Sequence, residues 1–180
     1  MGNRSGVSLI IGPAKVYDNF LPTIIAQKLL DIVLSEEFPW YYNHCVLTDD
    51  IQSGYQFTHT ITRNGEVNSR WSQLIDPFVS RLGNPLVDRA KFNLNHPESE
   101  HRRSGFHIDS INQTTAVYYM NTTNGGTEFE DGTFISGIGN RIAIFDSNIR
   151  HSGVSHTGNC SRIVLNLNYV FSASDDDSFS

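Results

Sequence analysis

The hydrophobic pattern of the chain changes its period about half-way along. From Leu86 onward, short segments alternate apolar and polar residues, and turn-forming Gly, Asn and Asp separate them. A period of two residues is typical of half-buried β-strands. It predicts strands over residues 86–94, 114–120, 127–130, 133–135, 141–145, 151–156 and 162–171. An opening strand or strand pair over residues 7–17 and a strand over residues 56–61 precede them, so the chain is predicted to be mainly β.

Two segments of the first half have helical spacing instead. Leu21-Pro22-Thr23 begins the first, with an apolar stripe that should pack on a sheet: Ile24, Ile25, Leu29, Ile32 and Val33. The second is predicted over residues 67–82, where Pro77 kinks or splits it. Many short strands after helices indicate flanking helices on a β-sandwich or jelly roll. We expect a single domain over residues 1–171, with a helix-rich first half, a β core from about residue 86, and a flexible acidic and serine-rich tail over residues 172–180.

Composition narrows the class of protein. The chain has 180 residues, of which 38% are hydrophobic, and this is enough for the core of one globular domain. A net charge of −6 disfavours nucleic-acid binding. The two cysteines have no CxxC spacing, which indicates a reducing compartment rather than disulfides or a zinc knuckle. Because the N-terminal residues contain no long apolar segment, we expect a cytoplasmic protein without membrane association.

The most informative short motif is His107-Ile108-Asp109, at what is predicted to be the start of a strand. In an extended chain, the side chains of His107 and Asp109 point to the same face and can bind one metal ion. Seven histidines give about one His-x-acid tripeptide by chance, and His96-Pro97-Glu98 is a second example. Its proline and its polar neighbours indicate a loop, so we favour His107 and Asp109. The alternative for this pair is a structural histidine beside a turn aspartate.

A third ligand is predicted at His151, after the apolar run 142–145 and a turn-like Asp-Ser-Asn. Two histidines and one carboxylate on one face of an octahedron, with the other positions open, suit non-haem Fe(II) oxygenases. These three residues form the candidate catalytic and metal site.

The last predicted strand adds a candidate anion-binding residue. One face of residues 162–171 is apolar, whereas the other carries Arg162, Asn166 and Asn168, and polar groups on an inward face need partners. Arginine matches a carboxylate with two parallel hydrogen bonds, so Arg162 is placed to bind an acidic co-substrate. The alternative is an arginine at the rim of the fold, paired with Glu128, Glu130 or Asp131.

Together these residues resemble the catalytic core of the 2-oxoglutarate- and Fe(II)-dependent dioxygenases, in the prolyl-4-hydroxylase-like branch. The resemblance rests on the order and spacing of His107-Ile108-Asp109, residues 117–121, residues 125–129, residues 140–145, His151 and Arg162. It implies a double-stranded β-helix, a jelly roll of the cupin type, with His107, Asp109 and His151 as iron ligands. Arg162 would bind the distal carboxylate of 2-oxoglutarate, assisted by Tyr119. Asn95 and Asn168 lie near positions that contact the co-substrate or the metal-bound ligand in relatives. For Tyr119 the alternative is a strand aromatic in the core.

The resemblance also implies a reaction. Fe(II), 2-oxoglutarate and O2 would support hydroxylation of an unactivated C–H bond, with ascorbate as a helpful reductant. A prolyl residue in a peptide or protein is the first expectation for the substrate, and a free amino acid or other small metabolite comes next. Nucleic acid is the least expected substrate. The compact form would suit a bacterial or viral protein. Two rival hypotheses remain: a non-catalytic β-barrel that binds a small molecule or a structural metal, and a cupin-type metal-dependent isomerase or dioxygenase.

Overall fold

Strands dominate the computed structural model, which describes residues 8–45 and 54–172. The two α-helices in these residues are α1 (Thr23–Val33) and α2 (Asp76–Leu82), and a 3-10 turn, Ser72–Ile75, leads into α2. The strands there are β1 (Ser8–Ile11), β2 (Ala14–Tyr17), β3 (Tyr41–Asn43), β4 (Gln56–Arg63), β5 (Glu66–Val67), β6 (Leu86–Asn95), β7 (Thr114–Tyr119), β8 (Gly126–Phe129), β9 (Phe134–Ser136), β10 (Arg141–Asp146), β11 (His151–Val154) and β12 (Arg162–Val170).

These strands form two antiparallel sheets of unequal size. The larger sheet has the order β1-β2-β10-β7-β12-β6-β4-β3, with β5 paired to β4. The smaller sheet has the order β11-β8-β9, and single bridges at Arg103 and His107 extend it beyond β11. The predicted mainly β fold with flanking helices, a jelly roll, is therefore confirmed.

The central strand β12 divides the core between two layers. Its residues Ile163, Leu165 and Leu167 are buried with α1 and α2 on the outer face of the larger sheet. Val164 packs on the opposite face, in an apolar cluster that includes Phe129 and Ile135 of the smaller sheet. The alternation predicted for residues 162–171 is thus present, except that Phe171 lies beyond the strand and is exposed.

Helix α1 begins where the sequence indicates it, because the carbonyl of Pro22 accepts the first helical hydrogen bonds, from Ile25 and Ala26. Proline has no N–H to satisfy at this end of a helix. Leu29 and Val33 are buried as predicted, but Ile24 is 77% exposed. The predicted apolar stripe is therefore one residue too wide at its N-terminal end.

The second predicted helix, over residues 67–82, is wrong at its start. Glu66–Val67 pairs with β4 as a short strand, and the α-helix begins only at Asp76. Pro77 explains the difference, because a proline fits the first turn of a helix but not its interior. Gly83 ends the helix with a φ of 94°, in the left-handed region that glycine adopts readily.

Asn140 fastens the segment before α1 to the larger sheet. Its side-chain oxygen accepts hydrogen bonds from the Leu21 amide and the Tyr118 hydroxyl, each at 2.9 Å, and its Nδ2 donates to the Leu21 carbonyl at 2.8 Å. Asn140 has a φ of 62°, a left-handed conformation that asparagine tolerates better than most residues. One side chain therefore joins three parts of the chain.

Replacing Asn140 with alanine is expected to lower the free energy of unfolding by about 2 kcal/mol, because buried partners lose their hydrogen bonds. Urea denaturation measures the change. Asn112→Ala is the matched control, since Asn112 also has a positive φ, of 58°, but is exposed. Equal losses in both variants would show that only the backbone conformation matters.

Two further expectations from the sequence were a flexible C-terminal tail and no association with a membrane. The predicted tail lies almost wholly in residues 173–180, outside the described residues. Among the residues that the structure describes, no helix is long and apolar enough to cross a membrane.

Candidate metal centre

Three potential metal ligands converge beside the smaller sheet. His107 Nε2 lies 3.8 Å from Asp109 Oδ1, and His151 Nε2 lies 3.6 Å from Asp109 Oδ2. One donor atom from each of the three residues lies within 4.8 Å of the others. Residues 8–45 and 54–172 contain no other such group of three histidine, cysteine, aspartate or glutamate residues. The structure thus brings together the three residues predicted as ligands.

Pairing with β11, rather than a strand of its own, positions His107. The backbone N–H groups of His107 and His151 donate to each other's carbonyls, both at 3.0 Å. The predicted strand start at His107 is wrong, because this segment forms only isolated bridges with β11, at Arg103 and His107. Gly105, with a φ of 100°, breaks the extended backbone between them. Convergence of the ligands therefore depends on a long-range pair as well as on the His-x-Asp spacing.

Both imidazoles have their Nδ1 atoms engaged by backbone. His107 Nδ1 lies 3.2 Å from the Gly105 carbonyl, and His151 Nδ1 lies 3.0 Å from the Ile149 carbonyl. A carbonyl only accepts, so each Nδ1 carries a proton, and in the neutral ring Nε2 is the atom with a lone pair for a metal. Burial, reinforced by the neighbouring His151, lowers the pKa of His107. This is the protonation state that a metal ligand needs.

Asp109 is held by a chain of polar side chains behind it. Thr115 Oγ1 donates to Asp109 Oδ2 at 3.1 Å, and Asn168 Nδ2 donates to Thr115 Oγ1 at 2.9 Å. Arg89 lies 3.7 Å from Asp109 Oδ1 and donates to Asn168 Oδ1. Burial alone would raise the pKa of Asp109, but His151, Arg89, His107 and the Thr115 hydrogen bond together lower it. The carboxylate is therefore ionised and fixed in orientation.

A cavity of about 370 Å³ opens beside the three ligands. Its walls come from the inward faces of β6 and β12, from the smaller sheet, and from two connecting segments at the mouth. Val117 and Val164 provide apolar surface, and Thr127 and Asn166 provide polar groups. The segments at the mouth are residues 54–56 and residues 96–98.

Arg162 lies in this cavity wall with its charge unpaired. The residue is 7% exposed, and its Nη2 donates to the Gly126 carbonyl at 3.1 Å. Its Nε is buried without a hydrogen-bond partner, and no carboxylate of the described residues forms an ion pair with it. Burial lowers the pKa of Arg162, but an arginine remains charged. A buried cation without a counter-ion is costly, and a bound anion would remove that cost.

The alternative of a rim arginine paired with acidic residues is wrong. Glu128 pairs with Arg103, and Glu130 pairs with Arg150. Asp131 accepts a hydrogen bond from the backbone N–H of Thr133. All three acidic groups thus have partners other than Arg162.

The remaining predicted site residues fall in different places. Asn95 lines the cavity directly opposite Arg162 in the β6–β12 pair. Asn168 is not in the cavity wall but in the chain of hydrogen bonds behind Asp109. Tyr119 is buried beneath Arg162, with 5.8 Å from the guanidinium carbon to the ring centre, and its hydroxyl donates to Thr127 Oγ1. Tyr119 thus supports the cavity wall without lining it.

His96-Pro97-Glu98, the competing tripeptide, does not join the ligand group. It is exposed at the mouth of the cavity, and Glu98 pairs with Arg102. The preference for His107 and Asp109 over this tripeptide agrees with the geometry.

Sequence reasoning missed Arg89 and Thr115. Thr115 follows Asp109 by six residues, and its contact with Asn168 depends on the register between β7 and β12. Arg89 could have been found by extending the period-two face of Lys91, Asn93 and Asn95 by one more step toward the N-terminus. All four side chains line the cavity.

Comparison with solved structures confirms the predicted resemblance at the level of fold. A Pseudomonas putida prolyl-4-hydroxylase matches with 17% identity and a TM-score of 0.57, covering 87% of this chain and 92% of that one. The chain has the fold of 2-oxoglutarate- and Fe(II)-dependent oxygenases. A Trichoplax adhaerens prolyl hydroxylase, solved with a hypoxia-inducible-factor peptide fragment, matches with 18% identity, a TM-score of 0.56, and coverage of 87% and 83%.

A third similar structure is that of an epimerase. The non-haem α-ketoglutarate-dependent epimerase SnoN, from nogalamycin biosynthesis, matches with 10% identity, a TM-score of 0.63, and coverage of 93% and 86%. No protein-family model and no curated protein sequence matches the chain.

The hydrogen bond behind Asp109 yields a prediction about metal affinity. Thr115→Val keeps the side-chain shape but leaves Asp109 without its donor, and we expect Fe(II) or Mn(II) affinity to fall about 10- to 100-fold. Anaerobic calorimetric titration measures it. Thr58→Val, on β4 and outside the lining of this cavity, is the control and should bind like the unaltered protein. Unchanged affinity in Thr115→Val would remove Thr115 from the site.

Proposed function

We propose that the protein is a 2-oxoglutarate- and Fe(II)-dependent oxygenase that hydroxylates an unactivated C–H bond. One observation supports this most strongly: two imidazole Nε2 atoms and the Asp109 carboxylate converge at a cavity whose wall holds the buried, unpaired Arg162. The donor set is the one that Fe(II) oxygenases use. The cation is the group that a dicarboxylic acid co-substrate requires.

Each residue of the site would have a separate role. His107, Asp109 and His151 hold the metal, and Thr115 and Arg89 keep the carboxylate oriented. Bound Fe(II) supplies oxidation by O2, in which 2-oxoglutarate becomes succinate and CO2 and the substrate C–H becomes C–OH. Arg162 binds the distal carboxylate of 2-oxoglutarate. Val117 and Val164 give this part of the cavity an apolar wall. The wall excludes water and so strengthens the ion pair between Arg162 and the distal carboxylate.

A prolyl group in a peptide or protein is the substrate that we propose first. The sequence motifs resemble the prolyl-4-hydroxylase-like branch, and two of the similar structures are prolyl hydroxylases, one of them solved with a peptide. The similarity to SnoN, with its higher TM-score, favours a small metabolite as the second candidate. Nucleic acid is disfavoured by the net charge of −6.

The test of the class is succinate formation from 2-oxoglutarate by the purified protein with Fe(II), O2 and ascorbate. We expect slow turnover without substrate, lost in His151→Ala and Asp109→Ala because the metal loses a ligand. His44→Ala, at an exposed histidine outside the site, should leave it unchanged. Absence of both succinate and 2-oxoglutarate binding would favour the non-catalytic barrel. Succinate at the unaltered rate in Asp109→Ala would contradict the assigned ligands.

Arg162→Met tests the co-substrate site separately. Loss of a charge-assisted hydrogen bond should raise the KM for 2-oxoglutarate about 10- to 100-fold, with a smaller effect on kcat. Arg70→Met, at an exposed arginine, is the control. A normal KM in Arg162→Met would mean that the co-substrate binds elsewhere.

A further inference from the structure

A second cation, Lys91, lies in the cavity wall without a partner. Lys91 is partly buried in β6, opposite Asn166 of β12 on one side and Thr60 of β4 on the other. Among the described residues, no hydrogen-bond or ion-pair partner is present for its ammonium group. Nothing in the proposed chemistry so far uses this group.

In the free protein, the surroundings of Lys91 raise the free energy of its charged form. Burial, with the like charge of Arg89, lowers the pKa of Lys91 to about 8, against the opposing effect of Asp109. Asp109 does not pair with Lys91, because its oxygens face the two histidines, Thr115 and Arg89. An unpaired cation beside an open cavity is a position that an anionic ligand would stabilise.

Lys91 and Arg162 lie at different levels of the β6–β12 pair. Arg162 is opposite Asn95, four residues from Lys91 along β6, which corresponds to about 13 Å of extended chain. In the proposed function, Arg162 binds the distal carboxylate of 2-oxoglutarate, and its other carboxylate is bound to the metal. Both carboxylates of 2-oxoglutarate then already have partners, and we assign a carboxylate at Lys91 to the primary substrate.

Two amide oxygens next to Lys91 also lack partners. Asn93 Oδ1 and Asn166 Oδ1 are buried without a hydrogen-bond partner among the described residues, and both residues line the cavity. Asn166 is the register partner of Lys91, and Asn93 is the next residue on the same face of β6. Buried acceptors need donors. A cation beside two free acceptors is complementary to a carboxylate with an N–H group close to it.

We propose that the primary substrate binds Lys91 through a free carboxylate and Asn93 and Asn166 through an adjacent N–H group. This describes an amino-acid unit with an unblocked C-terminus, either a free amino acid or the last residue of a peptide. The inference rests on the proposed function for the places of the metal and of 2-oxoglutarate. It extends that function by making Lys91 the residue that selects acids over amides.

The experiment compares acids with their amides in binding rather than turnover. The protein is loaded with Mn(II) and 2-oxoglutarate under anaerobic conditions. It is then titrated calorimetrically with the twenty standard L-amino acids, with their primary amides, and with a tetrapeptide whose penultimate residue is proline, so that its last residue keeps an N–H group, with a free or an amidated C-terminus. The variants are Lys91→Met and, as matched control, Lys28→Met on the exposed face of α1. Met is close to Lys in length, and removing an unpaired buried charge should not lower the Tm.

The expected result is that at least one acid binds the unaltered protein about tenfold or more tightly than its amide. In Lys91→Met this ratio should fall to about one, whereas Lys28→Met should keep it. The Kd of 2-oxoglutarate should change by less than about threefold in either variant. Binding of a free amino acid or of the peptide with a free C-terminus would each support the proposal. Which of the two binds identifies the source of the carboxylate.

Three results would overturn the proposal. The first is an acid-to-amide ratio that Lys91→Met leaves unaltered. The second is a tenfold or larger increase in the Kd of 2-oxoglutarate in Lys91→Met, which would place Lys91 in the co-substrate site. The third is that no acid binds better than its amide. Failure of 2-oxoglutarate to bind the unaltered protein is a separate outcome, because it contradicts the proposed function itself.

Discussion

The alternation of β12 is the constraint on which both the core and the site depend. Leu165 and Leu167 can be buried only on one face of the strand, so Arg162, Asn166 and Asn168 must all lie on the other. A slip of one residue in register would expose the leucines and bury the polar side chains among the helices. The free energy that holds the domain together thus also fixes the positions of the polar groups in the cavity wall.

The polar groups on that inner face fall into two classes, according to whether the protein satisfies them. Asn168 has partners in Thr115 and Arg89, and it serves to orient Asp109. Asn166, Asn93 and Arg162 each have one buried side-chain atom for which the described part of the chain provides no partner. Because native proteins satisfy nearly all buried polar atoms, unsatisfied atoms that share one cavity are most simply explained by a ligand. The free protein gives up stability to keep them ready for binding.

Sequence reasoning succeeded where a local pattern decides the structure and failed where a distant partner does. The period of two in β6 and β12 predicted these strands and the face of Arg162. The helix predicted over residues 67–82 was wrong at its start, because Pro77 does not kink or split a longer helix but lies in the first turn of one that begins at Asp76. The strand expected at His107 is absent because its pairing with His151 is a single bridge. The chain of hydrogen bonds from Asn168 through Thr115 to Asp109 needed the register between β7 and β12, which no short motif contains.

Gly126 shows how tightly the smaller sheet is coupled to the anion site. Its carbonyl accepts the hydrogen bond from Arg162, and its register partners are Ser136 in β9 and Val154 in β11. A Cβ atom at this position would overlap the carbonyl oxygen of Ile135 and the ring of Phe134. Any larger residue would push β8 and β9 apart and move the acceptor that orients the guanidinium. Glycine is therefore required here by packing between strands, and the orientation of Arg162 follows from that packing.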